Sequence, residues 1–426
     1  MDPQAYTPEN SDERLIWYSI TGTYFFWVLG AMYVVAPVIA WILLLRLTKR
    51  ALSDDQQFSI SRTQAYWVVA MCLMLLALVV GHLSEGLGLA KLIKSSIGWA
   101  KGWALLAIFP LIGSLNIRPQ IIYRACCIVC KHTLILLPFF VLAWVVKLPS
   151  TLYTSPISII GGPGPEFFSV SLYEIDPGSG IPRWRLFTPW APALGMMGNL
   201  FYIFATQEKS RRFRYYGYAG SLCMILMSQS RLGLVCYLLL IGFFMFIRWY
   251  RSPWLYLAAS PALLLLGLSG YTVVEKVQQS IDAFKNARAG STRVRQELAN
   301  IALERWANEA VLWGHGIVEK GPHLVEYMPI GSHHTWYGLL FVKGLVGALA
   351  LASAMLITFF SLLRYMFSNA ISAVSLAIIV QIFLYTFGEN LEILAYLFWP
   401  GLIIIGIALS QNKVNLKAQL ATKQQE

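Results

Sequence analysis

Apolar runs of roughly 17–25 residues, separated by polar segments, recur along almost all of this 426-residue chain. Each run is long enough to cross a hydrocarbon core of about 30 Å as a helix, and within that core only helices or closed barrels satisfy their own backbone. The expected fold is therefore all-α and polytopic, a membrane protein of about 11–12 transmembrane helices. Composition agrees: 57% of residues are hydrophobic and 13% charged, where a soluble domain carries about 25% charged residues. Eleven spans are expected at 24–45, 64–82, 98–115, 128–147, 189–206, 215–229, 232–249, 254–273, 336–363, 371–388 and 394–410. Residues 15–23 are also fairly apolar, and a twelfth element there would move the N-terminus to the opposite face. Residues 1–15 are polar and acidic, without the basic start of a cleavable signal peptide. Residues 411–426 read as a flexible cytoplasmic tail on a single membrane domain, 1–426.

Lysine and arginine in short loops orient such a chain. With the N-terminus outside, the inner loops hold Arg46, Lys49, Arg50 and Arg62, then Arg118, Arg124 and Lys131. They continue with Lys209, Arg211, Arg212 and Arg214, then Arg248, Arg251, Arg364, Lys413, Lys417 and Lys423. The net charge of +12 thus reflects topology rather than nucleic-acid binding. The six cysteines lie in spans or near inner ends, so no disulfide framework is expected. Cys127 and Cys130 have redox or metal spacing, but no second pair or histidine cluster accompanies them.

Two outer loops carry the polar chemistry. The first, 148–188, is rich in glycine and proline, at Gly161-Gly162-Pro163-Gly164-Pro165 and Asp176-Pro177-Gly178-Ser179-Gly180. It lacks the lysine and the strand–loop–helix context of a phosphate-binding P-loop. It ends in a basic, aromatic segment from Arg183 through Trp184 and Arg185 to Trp190. The second, 274–335, is long for a membrane-protein connection, and long loops are usually functional. Within it Val294, Leu298, Ile301, Ala302, Trp306 and Leu312 recur at helical spacing, predicting an amphipathic surface helix over 293–313 capped by Ser291 or Thr292. A third polar group, Ser228-Gln229-Ser230-Arg231-Leu232-Gly233, forms a hairpin so tight that Arg231 must sit at the membrane boundary or slightly buried. An arginine there calls for an anionic partner, and Glu389 and Glu392 lie on the same face.

Guanidinium groups grip phosphate oxygens in a two-pronged geometry and stay charged at physiological pH. Arg183, Arg185, Arg231, Arg293 and Arg295 on one face suit a lipid diphosphate, or else anchor spans to headgroups. His333 and His334 close the long loop where the 336–363 span begins. An imidazole at that boundary is either an interfacial residue or a general base. No His-x₃-His pair or His-Glu-x-x-His occurs, so no metal site is expected.

These residues resemble the O-antigen ligase and Wzy-type polysaccharide polymerase superfamily. His333-His334-Thr335-Trp336, followed by Gly344-Leu345-Val346-Gly347, fits the family's histidine motif with His333 in the histidine position. His334 stands where Asn or Ser is usual. Gly314-His315-Gly316 is similar to the family's Gly-x-Gly, and Ser291-Thr292-Arg293-Val294-Arg295 to its loop arginine motif, with Arg295 better spaced than Arg293. Ser230-Arg231-Leu232-Gly233 resembles its Ser-Arg-Gly turn with Leu inserted, and Arg183 through Gly195 its Arg…Phe…Pro…Gly segment. The motifs span about 183–347, each of them short.

The resemblance implies a metal-independent, inverting glycosyltransferase of GT-C-like architecture in the bacterial inner membrane, without a cofactor. Its donor would be a glycan on undecaprenyl diphosphate facing the periplasm, and its acceptor a glycan or a lipid-linked sugar. His333 or His334 would take a proton from the acceptor hydroxyl, and the five arginines would hold the diphosphate. Trp184, Trp190, Trp336 and Tyr337 would stack on sugars or serve as an interfacial aromatic belt. A polymerase of exopolysaccharide, capsule or O-antigen repeat units is the leading expectation, with membrane lipid and a chain-length regulator among its partners. The alternatives are a ligase moving finished glycan onto lipid A core and, more distantly, a transporter or flippase. The last predicts charges deep in several spans and an internal repeat, neither of which is apparent.

Overall fold

A computed structural model describes residues 6–53, 60–176, 180–269, 275–276, 278–279 and 289–423. Helices dominate: α1 (Ser11–Thr21), α2 (Thr23–Val28), α3 (Met32–Leu52), α4 (Arg62–Ser84), α5 (Leu89–Lys101), α6 (Leu105–Ile112) and α7 (Pro119–Val145) precede the first outer loop. After it come α8 (Ala191–Gln207), α9 (Arg211–Ser228), α10 (Arg231–Trp249) and α11 (Pro253–Leu268). Beyond the second lie α12 (Ala289–Glu309), α13 (Thr335–Leu363), α14 (Ala370–Tyr385) and α15 (Leu391–Lys423).

The chain is an all-α, multi-pass membrane protein. Each of the eleven expected spans overlaps a helix. Among the described residues, seven helical segments are long and apolar enough to cross a bilayer: 32–52, 62–84, 89–112, 119–145, 231–249, 335–363 and 391–413. The other four expected spans, α8, α9, α11 and α14, are helices of 16–18 residues. The last helix runs on to Lys423, through residues that the sequence reads as a flexible tail.

The N-terminus departs from the reading that placed it outside. Asp12 and Glu13 are buried, and Asp12 pairs with Arg46 and Arg50 at 2.8 and 2.7 Å. Glu13 pairs with Arg118 at 2.7 Å. The start of α1 therefore lies with the basic loops 46–50 and 118, on the face that the charge rule places inside. From there α1 and α2 run to Gly30, which touches Ser155 in the first outer loop. Residues 11–28 thus form a further helical segment, in the place where the apolar stretch 15–23 allowed for a twelfth element, with two buried acids near its start.

Helix α15 is the hub and is buried over nearly its whole apolar length, whereas α10 is buried over less than a fifth. Its backbone meets α6 at Gly406 and Pro110, the close approach that small residues allow between membrane helices. Gln64 spans that crossing, donating from Nε2 to the Pro110 and Gly406 carbonyls at 2.7 and 3.2 Å. Cys127 and Cys130 pack on Gly217 and Gly220 of α9 and are free thiols, which gives the pair a packing role. The first outer loop holds two small antiparallel ribbons, β1 (Thr151–Thr154) with β2 (Ser169–Ser171) and β3 (Glu174–Ile175) with β4 (Pro182–Arg183). Residues 177–179 of its second turn and 280–288 of the long loop lie outside the described residues.

Candidate active site

The double histidine folds into two different environments. Gly331 packs its backbone against Gly338 in the first turn of α13, so the chain doubles back before the helix starts. His334 is the residue that caps it: Nδ1 accepts from the Tyr337 amide at 3.4 Å. Its ring stacks on Tyr337, with centroids 3.9 Å apart and planes at 23°, and meets Phe387 edge-on. Burial pushes its pKa down to about 4, which suits a capping nitrogen that must stay unprotonated. His333 has a left-handed backbone, φ 61°, which is unusual for a residue with a side chain and clusters at functional positions. It is half-buried, and among the described residues its ring takes no hydrogen bond. Burial, reinforced by Arg295, pushes its pKa down to about 4, leaving a neutral imidazole at physiological pH.

A second wall is stapled to this turn. Thr335 donates its amide to the Thr386 carbonyl at 2.9 Å and its hydroxyl to the Glu389 carbonyl at 2.7 Å. The same hydroxyl accepts from the Leu391 amide at 3.1 Å, and Trp336 Nε1 donates to Thr386 Oγ1 at 2.8 Å. Residues 386–391 are thereby fixed against the His333 turn. Glu389 within them is 3% exposed, and Oε2 accepts from Trp190 Nε1 at 2.8 Å. Burial raises its pKa to about 7, against the opposing pull of that hydrogen bond and of Arg295.

Arg295 projects from α12, whose Val294 and Leu298 pack on Val325, while Ala302 packs on Ile330 and Phe341 of α13. Its guanidinium acts electrostatically on both His333 and Glu389, so the three converge. The helix starts at Ala289, before the Ser291 or Thr292 expected to cap it, and ends at Glu309 rather than 313. Arg293, two residues from Arg295, is exposed on a different side of the helix.

Arg231 is the first residue of α10. Its turn is set by Gln229 in the left-handed region, φ 50°, and by Ser230 Oγ accepting from the Gly233 amide at 3.0 Å. Leu232 packs on Gly388, which brings this turn to the same 386–391 wall. On this face Glu389 holds Trp190 and acts electrostatically with Arg295.

Three candidate residues are committed elsewhere. Arg183 lies 2.6 Å from Glu174 and 3.2 Å from Asp176, tying the β3–β4 ribbon together. Arg185 is buried and donates to the Pro189 carbonyl and, at 2.7 Å, to Ser169 Oγ; desolvation lowers its pKa. Trp184 is buried as well, donating its amide to Met227 and its indole N–H to Phe140. Arg183 ties the loop's own ribbon together, and Arg185 and Trp184 hold it through Ser169 and Phe140. Trp336 and Tyr337 stay beside the His333 turn, held by Thr386 and His334.

The Gly-x-Gly motif is structural and intimate with α13. That helix breaks at Gly344, φ 61° and ψ −162°. Loop residues 311–316 enter the break: Leu345 and Val346 donate to the Val311 and Leu312 carbonyls at 2.9 and 3.2 Å. His315 and Gly316 donate to Phe341 and Val342 at 2.9 and 3.0 Å. His315 also stacks on Phe341 at 4.2 Å and binds Glu309 at 2.8 Å, while Arg305 covers Phe341 from 5.1 Å. Among the described residues, no three His, Cys, Asp or Glu side chains are grouped as metal ligands.

Residues 217–352, from α9 to the middle of α13, match the family model described as O-Antigen ligase. No curated protein matches the chain. The matched segment contains Arg231, Arg295, the Gly-x-Gly loop, both histidines and the Gly344 break. The likeness is thus to the O-Antigen ligase family, over residues 217–352.

Proposed function

We propose that the protein is a metal-independent, inverting glycosyltransferase that polymerises undecaprenyl-diphosphate-linked repeat units of an exopolysaccharide, capsule or O-antigen. It works at the periplasmic face of the bacterial inner membrane. The observation that carries this reading is His333: a neutral imidazole with no hydrogen bond among the described residues, under the electrostatic influence of Arg295. An acceptor hydroxyl binds to His333, attacks the anomeric carbon and passes its proton to the imidazole. The bond from that carbon to the diphosphate breaks, and its electron pair leaves with the diphosphate. Arg295 and Arg231 hold that group and stabilise its developing charge, with Arg293 at the rim; positioned cations of this kind are typically worth about 3 kcal/mol or more.

A pKa near 4 makes a weak base, and the site contains its own remedy. Part of the depression comes from Arg295. A bound diphosphate neutralises that charge, so His333 becomes more basic when the donor is in place. Glu389, poised near neutrality behind Arg295, supports the same cation.

A ligase would use the same residues on a different acceptor. His333→Ala abolishes glycan elongation while the protein still inserts; retained turnover overturns the reading. Cells lacking the protein accumulate single repeat units on the carrier lipid if it is a polymerase, and finished chains on it if it is a ligase.

A further inference from the structure

Between α12 and α13 the outer loop forms a tip whose backbone runs against the preferences of its residues. The chain doubles back there: Lys320 pairs with Pro329, Gly321 donates to the Met328 carbonyl at 2.8 Å, and Ile330 to that of Glu319 at 2.9 Å. At the bend, a single helical turn, His323–Val325, ends in two consecutive left-handed residues, Glu326 at φ 55° and Tyr327 at φ 56°. For a bulky residue such a φ is an outlier that persists only where the surroundings impose it. Here they do. The Glu326 amide donates to the His323 carbonyl at 2.9 Å, and the Tyr327 amide to that of Pro322 at 3.3 Å. Beneath them Val325 is fully buried against Val294 and Leu298, which bracket Arg295 in α12. What this fixed bend presents is an aromatic ring. Tyr327 is 59% exposed, and the His323 ring meets it edge-on with centroids 5.7 Å apart. The His323 and Glu326 side chains are exposed as well.

A rigidly held aromatic ring, with an imidazole at its edge and a carboxylate next to it in the chain, has the chemistry of a sugar-binding surface. The C–H face of a pyranose packs on the aromatic face, and its hydroxyls bond to imidazole and carboxylate. We propose that the 323–327 tip is a subsite for a sugar of the glycan, with Tyr327 stacking on the ring and His323 and Glu326 taking its hydroxyls. The tip is continuous with the candidate site in two directions. Through Val325 it rests on the helix that carries Arg295. Six residues after Tyr327 the same strand reaches His333, a span of at most about 20 Å. A chain of a few sugars covers that span. The competing occupant is the bilayer, since Leu324 in the same bend is 54% exposed. Seating the tip in hydrocarbon would carry the exposed Glu326 carboxylate and Lys320 ammonium in with it, which disfavours that occupant.

This subsite rests on the glycosyltransferase reading and is tested in the full-length protein. The probe is the lipid-linked glycan extracted from cells that lack the protein. Tyr327→Ala and Tyr327→Leu each raise KM for that glycan about threefold to tenfold, the scale of one aromatic stacking contact, while kcat stays within about twofold. Tyr327→Phe and Tyr327→Trp keep the parental KM, because stacking needs the ring and not the phenol hydroxyl. Tyr327→Gly separates binding from folding. Glycine takes the left-handed backbone without strain, so this variant melts no lower than the parent and still raises KM as Tyr327→Ala does. Parental KM in Tyr327→Ala overturns the proposal. Parental KM in Tyr327→Leu alone shows an apolar anchor in the bilayer and overturns it too. So does a raised KM confined to variants that melt lower, with Tyr327→Gly at the parental value, which shows a structural role. An active His333→Ala overturns the catalytic reading instead and leaves these KM ratios measurable, so the two failures are distinct.

Discussion

Gly314 and Gly344 meet backbone to backbone: a methyl on Gly314 would lie 2.5 Å from the amide nitrogen of Gly344. Two short motifs, thirty positions apart, are therefore halves of one device. A helix broken inside a membrane exposes backbone groups that lipid cannot satisfy. Here the loop that contains Gly314 enters the break and supplies them, through the Val311 and Leu312 carbonyls on one side and the His315 and Gly316 amides on the other. The consequence reaches the candidate site, since this crossing locks the long outer loop to the helix that begins beside His333.

Gly344→Ala tests that coupling. Its φ and ψ lie in a region open essentially to glycine alone, and an added methyl would strike the Leu312 carbonyl. The expected result is a loss of about 2 kcal/mol or more, seen as a lower melting temperature of the detergent-purified protein, together with reduced turnover. A variant as stable and active as the parent would show that loop and break are not coupled.

The two histidines should separate cleanly. His334→Asn keeps a side chain that caps helices well and should melt close to the parent, whereas His334→Ala gives up roughly 1 kcal/mol. Both should retain glycan elongation within about tenfold. His333→Asn should be inactive at unchanged stability. If instead His334→Asn is the inactive variant, the base has been placed one residue too early.

Stability against pH offers a sharper check, because His333 and Glu389 pull in opposite directions. His333 has a folded pKa depressed to about 4 from 6.5. Its contribution is present above 6.5 and is lost as pH falls through 4. Glu389 has a folded pKa raised to about 7 from 4.5. Its contribution is present below 4.5 and is lost as pH rises through 7. Over the shared window the two trends offset. Glu389→Gln should therefore lose melting temperature between pH 7 and 4.5 relative to the parent, and His333→Asn should gain it. Parallel curves for all three proteins would refute both assignments.

What the sequence made legible follows from which constraints are local. The apolar runs were readable because bilayer thickness acts on consecutive residues; His333, Arg231 and Arg295 stand out as candidates because their motifs are short. Arg183, Arg185 and Trp184 look like ligand-binding residues in one dimension. Their partners, Glu174, Ser169, Phe140 and Met227, are fixed by loop packing that no spacing reveals. Glu389 was visible only as a charge of the right face. Its tie to Trp190 spans 199 positions, and nothing local announces it.

Donor binding should also raise the basicity of His333. The profile of kcat/KM against pH reports the free enzyme, and its acid limb should fall near pH 4. The profile of kcat reports the donor complex, in which the diphosphate cancels the charge of Arg295. Its acid limb should lie at higher pH. Arg295→Gln should shift the limb of kcat/KM upward even in free enzyme, while raising KM for the donor. Coincident limbs in the parent, unmoved by Arg295→Gln, would show that this arginine does not govern the imidazole.

Arg231→Lys asks whether geometry or charge matters at the head of α10. Lysine keeps the positive charge beside the 386–391 wall and loses the two-pronged grip on phosphate oxygens. If Arg231 holds the diphosphate bidentately, turnover should drop by roughly tenfold to a hundredfold, the scale of a lost charge-assisted hydrogen bond. KM for the acceptor should stay as it is, because the acceptor binds at His333. Arg183→Lys is the control: that side chain is spent on Glu174 and Asp176, so its loss should show in melting temperature and not in donor binding. Near-parental turnover by Arg231→Lys would reduce Arg231 to an interfacial anchor and leave Arg295 as the principal diphosphate ligand.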